Sequence, residues 1–90
     1  MVDKHPNYVV GWNGSLEELS RSIGNMRYDK LSEFLLNLTD DIVKQSEKDL
    51  ESDRKKLSTE LNQCAQYLLE AKCKMDKAWE ICKPYMDKIK

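Results

Sequence analysis

Apolar residues in the second half of the chain recur at alternating spacings of four and three, as they do in an α-helix that buries one stripe. No charge interrupts this stripe, which consists of Leu57, Leu61, Cys64, Leu68, Ala71, Met75, Ala78, Cys82 and Tyr85. Extending the phase backwards puts Asp40, Glu47 and Arg54 at core positions, so the phase breaks before Leu57. The pattern therefore predicts a long helix with a turn in front of it.

Two further helices are predicted before that turn. One carries an apolar face made of Leu31, Phe34, Leu35, Leu38 and Ile42. The other starts at a capping box made of Ser15 and Glu18. At this spacing the Ser15 hydroxyl can accept from a free amide of the first turn, and the Glu18 carboxylate can reach back to the cap residue. Gly24-Asn25 offers a left-handed end to that helix. We expect helices over about 15–23, 27–51 and 54–86, with a tight turn near Ser52.

These elements predict an all-α fold, in which a short N-terminal helix precedes a long antiparallel helix hairpin. We expect residues 1–14 to be an irregular segment and residues 15–90 to form a single helical domain of three helices. Further apolar residues widen the stripe of the last helix beyond what one packing partner covers, namely Tyr67, Leu69, Trp79 and Ile81. We therefore expect a homodimer in which two hairpins complete a four-helix bundle with coiled-coil packing.

Charge is unevenly distributed, although the net charge of the chain is only −1. Residues 29–53 hold eight acids against three lysines, a net −5, and residues 54–90 hold nine bases against five acids, a net +4. We favour attraction between two antiparallel helices over a charge field that binds a partner. A nucleic-acid accessory role for the Lys-rich last helix is an alternative, which the pI near 5.8 and the interspersed acids disfavour.

Three cysteines lie nine residues apart, at Cys64, Cys73 and Cys82. Nine residues are two and a half helical turns, so Cys73 points away from the other two, which stand ~27 Å apart on one face. No pair on this helix can share a zinc ion or form a disulfide. We interpret Cys64 and Cys82 as small core residues and Cys73 as a surface thiol, which suits a cytoplasmic protein.

Catalytic chemistry finds little support in the sequence. His5 is the only histidine and belongs to the irregular segment, whereas a general base must be held in place. Three glycines cannot form a phosphate-binding loop, and the acidic residues lie off the apolar faces. We expect no catalytic residue, no metal and no cofactor, and an enzyme or metal-binding bundle is the least favoured alternative. We expect neither a signal peptide nor a membrane-spanning segment, because the apolar run near the N-terminus is short and no 18 consecutive residues are apolar.

The remaining hypothesis is a small, noncatalytic helical module for protein–protein interaction or oligomerisation. Its candidate interaction surface consists of Tyr8, Trp12, Tyr67, Leu69, Trp79 and Ile81. A second copy of the chain is the expected partner, with another protein as the alternative. The distinctive segment 8–15 either caps the open end of its own hairpin, which we favour, or docks on another chain.

Overall fold

The computed structural model describes residues 5–89, and the side chains of residues 5–85. Three helices follow one another: α1 over Leu16–Gly24, α2 over Tyr28–Glu51 and α3 over Lys55–Ile89. The main packing joins α2 to α3 as an antiparallel hairpin, so the predicted all-α fold with its helix hairpin is confirmed. The extents are 53 × 29 × 14 Å, which makes the molecule a thin, elongated layer of helices.

The start of α1 forms the predicted capping box, but its end differs from the prediction. The Glu18 amide donates to Ser15 Oγ at 3.0 Å, and the Ser15 amide donates to Glu18 Oε1 at 3.0 Å. At the other end Asn25 is right-handed, with φ −89°, and its amide donates to the carbonyl oxygen of Arg21. The expected left-handed end was wrong, because an ordinary helical turn already satisfies this carbonyl.

A short turn closes the hairpin at the predicted place. Asp53 adopts the left-handed conformation, with φ 61°, which aspartate tolerates better than most residues. The Arg54 amide then donates to the carbonyl oxygen of Asp49 at 2.8 Å, and the Arg54 guanidinium contacts the Asp49 carboxylate at 2.8 Å. The predicted turn near Ser52 is confirmed.

The packing between α2 and α3 uses small side chains at its centre. All the fully buried residues in the described part of the chain are small, and they recur every seven residues: Ser32, Thr39 and Ser46 on α2, and Ser58 and Ala65 on α3. Small residues on facing helices allow the helix axes to approach closely. Half-buried residues alternate with them, namely Leu35 and Ile42 on α2, and Leu61, Leu68, Lys72 and Met75 on α3. We call these eleven residues the closed seam.

Hydrogen bonds satisfy the polar groups in the closed seam. Ser46 Oγ donates to the carbonyl oxygen of Ser58 at 2.9 Å and lies 2.9 Å from Ser58 Oγ, which links the helices near the turn. Thr39 Oγ1 donates to the Leu35 carbonyl oxygen at 2.8 Å. Every buried side-chain nitrogen and oxygen in the described residues has a partner, so these polar residues occupy the seam without an unpaired group.

Four of the nine residues predicted for the α3 stripe are exposed, namely Leu57, Cys64, Ala71 and Tyr85. The other five are partly covered as expected: Leu61, Leu68, Met75, Ala78 and Cys82. The residues that follow Leu57, Cys64 and Ala71 are buried or half-buried instead, namely Ser58, Ala65 and Lys72. The helix is rotated because small side chains give the closest approach to α2. The interpretation of Cys64 as a core residue is corrected accordingly, while Cys73 is exposed as expected.

Pro84 does not end α3, which continues to Ile89. The proline is exposed, so water can reach the carbonyl group that loses its hydrogen-bond donor at this position. The helix therefore keeps its side chains in register as far as Tyr85.

Candidate interaction surface

The uncovered side of α3 carries a second helical series, which again has spacings of three and four. It consists of Leu57, Glu60, Cys64, Tyr67, Ala71, Lys74, Ala78, Ile81 and Tyr85. We call this series the open seam. Each of its residues from Leu57 to Lys74 directly precedes a residue of the closed seam, so its midline lies about 100° around α3 from that of the closed seam. One helix thus presents two heptad seams, of which α2 covers only one.

The open seam is apolar along most of its length and exposed to solvent. Seven of its nine members are apolar, and all except the half-buried Ala78 are exposed. Tyr67 is 68% exposed and Ile81 is 72% exposed, which is unusual for such large apolar side chains. A shallow groove runs beside Tyr67, between Glu60 and Leu68. The seam extends ~42 Å from Leu57 to Tyr85, so it offers a long surface that a second helix could follow.

Two of the predicted surface residues of α3 lie on the same side of the helix, and the other two lie elsewhere. Tyr67 and Ile81 stand two heptads apart on the open seam, ~21 Å along one side of α3. Leu69, which is 44% exposed, lies on nearly the opposite side of the helix. Trp79 follows the spacing of the closed seam, where the Arg27 guanidinium lies 5.4 Å from its ring centroid. The four residues therefore do not form one patch.

The aromatic residues of the N-terminal segment have separate environments. Trp12 Nε1 donates to the carbonyl oxygen of Ser15 at 2.9 Å. Its ring lies against Gly14, where an added Cβ would come within 2.9 Å of the ring. Trp12 therefore supports the start of α1, while Tyr8 and Val10 remain exposed.

His5 and its neighbours show where the N-terminal segment runs. His5 lines a shallow pocket together with Gln45, Lys48, Asp49 and Arg54 at the turn of the hairpin. The first described residue of the segment thus lies beside its own hairpin, at the end opposite the α1–α2 junction. None of the described residues of this segment lines the groove beside Tyr67.

A second exposed apolar patch lies on the other side of the hairpin. It comprises Leu36, Leu50 and Leu69, with the half-buried Val43 beside them. Heptad spacing relates Leu36, Val43 and Leu50 on α2, whereas α3 contributes Leu69 alone, because the equivalent positions hold Asn62, Asp76 and Lys83. The patch is shorter and more polar than the open seam.

A small polar cluster joins the two helices near their open end. Ser32 Oγ donates to a carboxylate oxygen of Asp76, and Lys72 Nζ contacts the other oxygen at 2.7 Å. The Lys72 ammonium group first, and the Ser32 hydroxyl second, lower the pKa of Asp76, because both favour the ionised carboxylate. Asp76 in turn raises the pKa of Lys72 by its hydrogen bond. The cluster is partly exposed. Its Ser32–Asp76 bond crosses between the helices, whereas Lys72 and Asp76 both belong to α3.

Two other kinds of feature, a metal-ligand cluster and a membrane-spanning helix, are not found among the described residues. Among residues 5–85, no three His, Cys, Asp or Glu side chains come close enough to hold a metal ion. No helix in the described part of the chain combines the length and the hydropathy needed to cross a membrane.

The open seam was missed by sequence reasoning as a separate feature, because Leu57, Cys64, Ala71 and Tyr85 were assigned to the core. The signal that could have found it is size: small residues recur every seven positions at Ser32, Thr39 and Ser46, and again at Ser58 and Ala65. Those heptads identify the side of α3 that faces α2. No family model matches the chain, and no curated protein or solved structure shows significant similarity to it.

Proposed function

We propose that this chain is a noncatalytic interaction module that assembles as a homodimer through the open seam of α3. The observation that carries the proposal is the surface that the folded chain leaves exposed. Its accessible area is 7577 Å². A folded monomer of the same mass, 10.6 kDa, exposes about 5,500 Å².

The excess area is sufficient for a stable interface. It is about 2,100 Å² per chain, partly because the hairpin is elongated and thin. A standard protein interface covers about 800 Å² of each partner. The open seam supplies apolar residues for that area, and burying one large apolar side chain contributes about 1.5–3 kcal/mol. A second copy that covered about 800 Å² of each chain would therefore remove more than a third of this excess.

The two seams of α3 also favour a four-helix bundle. A helix in such a bundle packs against two neighbours, which requires two apolar faces roughly a quarter turn apart. The closed and open seams are separated by about 100°. In the proposed dimer α3 packs against its own α2 through one seam and against the second chain through the other. We also place the protein in the cytoplasm, where its exposed thiols at Cys64 and Cys73 would remain reduced.

Light scattering over a range of concentrations, on reduced protein, tests the dimer directly. We expect twice the chain mass of 10.6 kDa for the unaltered protein. Tyr67→Lys with Ile81→Lys should give a folded monomer, because the partner would bury four lysines across a symmetric interface. Helicity by circular dichroism checks that the variant still folds.

Leu69→Lys is the matched control. Leu69 is also an exposed apolar residue of α3, but it lies away from the open seam, so its replacement should leave the dimer intact. A monomeric unaltered protein would contradict the proposal. A dimer that Leu69→Lys dissociates and the double variant does not would place the interface on the smaller patch.

A further inference from the structure

We infer that the second copy packs antiparallel on α3, with the two-fold axis between residues 72 and 73. This inference rests on the proposed dimer and specifies its geometry. An isologous dimer matches one surface with itself, so the open seam must be complementary to its own copy. Side-chain size and charge along the seam select one orientation and one register.

Size alternates along the open seam in a way that fits the antiparallel orientation. With this axis Tyr67 faces the partner's Ala78, and Ile81 faces the partner's Cys64. Tyr67 and Ile81 each meet a small side chain, as in closely packed helix pairs, while Tyr85 faces the partner's Glu60 at the edge of the interface. In the parallel orientation Tyr67 would face the partner's Tyr67, and Ala71 would face the partner's Ala71. The tyrosine pair would push the helices apart, whereas the alanine pair one turn later would need them close together.

Charge beside the seam selects the register. Glu70 lies next to the seam on the solvent side, and the antiparallel axis puts it between the partner's Lys74 and the partner's Lys77. Symmetry repeats this arrangement, so the interface has two clusters of opposite charges. A shift of one heptad towards the start of α3 would instead place Glu70 against the partner's Glu70. Opposite charges across an interface fix register in this way.

A disulfide experiment distinguishes the orientations, starting from a Cys73→Ser and Cys82→Ala variant that retains Cys64. The two Cys64 thiols of an antiparallel dimer stand ~26 Å apart, so mild oxidation should give no covalent dimer. Adding Ile81→Cys should give one, because each new thiol faces the partner's Cys64. In a parallel dimer Cys64 alone would form the covalent link.

The outcomes separate this inference from the proposed function. Covalent dimer from Ile81→Cys, and none from Cys64 alone, supports the antiparallel arrangement. A dimeric mass with crosslinking by Cys64 alone, or with no crosslinking in either variant, overturns the arrangement and leaves the dimer standing. A monomeric mass for the unaltered protein overturns both.

Charge reversal gives a second test that needs no new cysteine. Glu70→Lys alone should weaken the dimer about tenfold, because two symmetric clusters become repulsive. Lys74→Glu with Lys77→Glu should weaken it by a similar factor. Mixing the two variants should restore affinity through a heterodimer in which both clusters pair opposite charges. A mixture that binds no tighter than either variant alone overturns the register.

Discussion

The closed seam and the open seam lie on the same helix and have the same heptad spacing, yet their compositions differ. The closed seam contains small and polar residues such as Ser58 and Ala65, and α2 covers it completely there. The open seam contains larger apolar residues such as Tyr67 and Ile81, and it faces solvent. In this molecule small side chains mark the place where the neighbouring helix is closest, and a second series of large apolar side chains lies on the side of α3 that α2 does not cover.

The largest expected difference in the free energy of unfolding is between an alanine-to-leucine substitution in the closed seam and the same substitution in the open seam. Ala65 is 3% exposed, so Ala65→Leu should push α2 and α3 apart and lower the free energy of unfolding by about 1–3 kcal/mol. Ala71→Leu in the open seam should change it by less than about 0.5 kcal/mol. Chemical denaturation checks both, in the Tyr67→Lys and Ile81→Lys background so that self-association does not contribute. Equal effects would show that the seams do not differ in packing.

A smaller effect is expected from the hydrogen bonds of the closed seam. Ser46→Ala should lower the free energy of unfolding by about 1 kcal/mol, because it removes the bond to the Ser58 carbonyl oxygen and leaves the Ser58 hydroxyl without this partner. Ser58→Ala in addition should cost less than it does alone, since the two hydroxyls interact. Additive losses in this double-mutant cycle would mean that the two serines act independently.

The smallest effect concerns pH. The pKa of Asp76 is lowered in the folded chain, first by Lys72 and then by Ser32. Its carboxylate therefore stabilises the fold above the ordinary aspartate pKa, and this contribution disappears as the pH falls through the lowered pKa. Thermal unfolding measured between neutral and acidic pH should show a smaller acid-induced loss for Lys72→Met. An unchanged loss would mean that the ion pair does not stabilise the hairpin.

The sequence was sufficient for the elements of the fold. The capping box at Ser15 and Glu18, the hairpin and the turn near Ser52 all follow from local rules: a hydroxyl and a carboxylate at the right spacing, and a phase break in the heptads. Local rules work here because each feature depends on residues within a turn or two of one another.

The rotation of α3 could not be obtained by counting apolar residues. Either Leu57 or Ser58 could occupy the position of α3 that faces α2, and hydrophobicity alone favours Leu57. The structure buries Ser58, because its hydroxyl lies 2.9 Å from Ser46 Oγ and its small size lets the helices approach. That choice depends on which side of α2 faces α3, and the apolar pattern of α3 alone does not contain this information. The same choice determines the surroundings of Cys64 and of the candidate surface residues.

Ala65 is the only apolar side chain that is fully buried among residues 5–85. A chain with so little internal burial has much stability to gain from a ligand that binds only its folded form. If that ligand is a second copy, mass action ties folding to abundance: each tenfold increase in concentration adds about 1.4 kcal/mol to the stability of the dimer. The melting temperature of such a dimer would rise with protein concentration. A cell that makes too little of the protein would then have fewer complexes, and it would also lose unfolded chains to proteolysis.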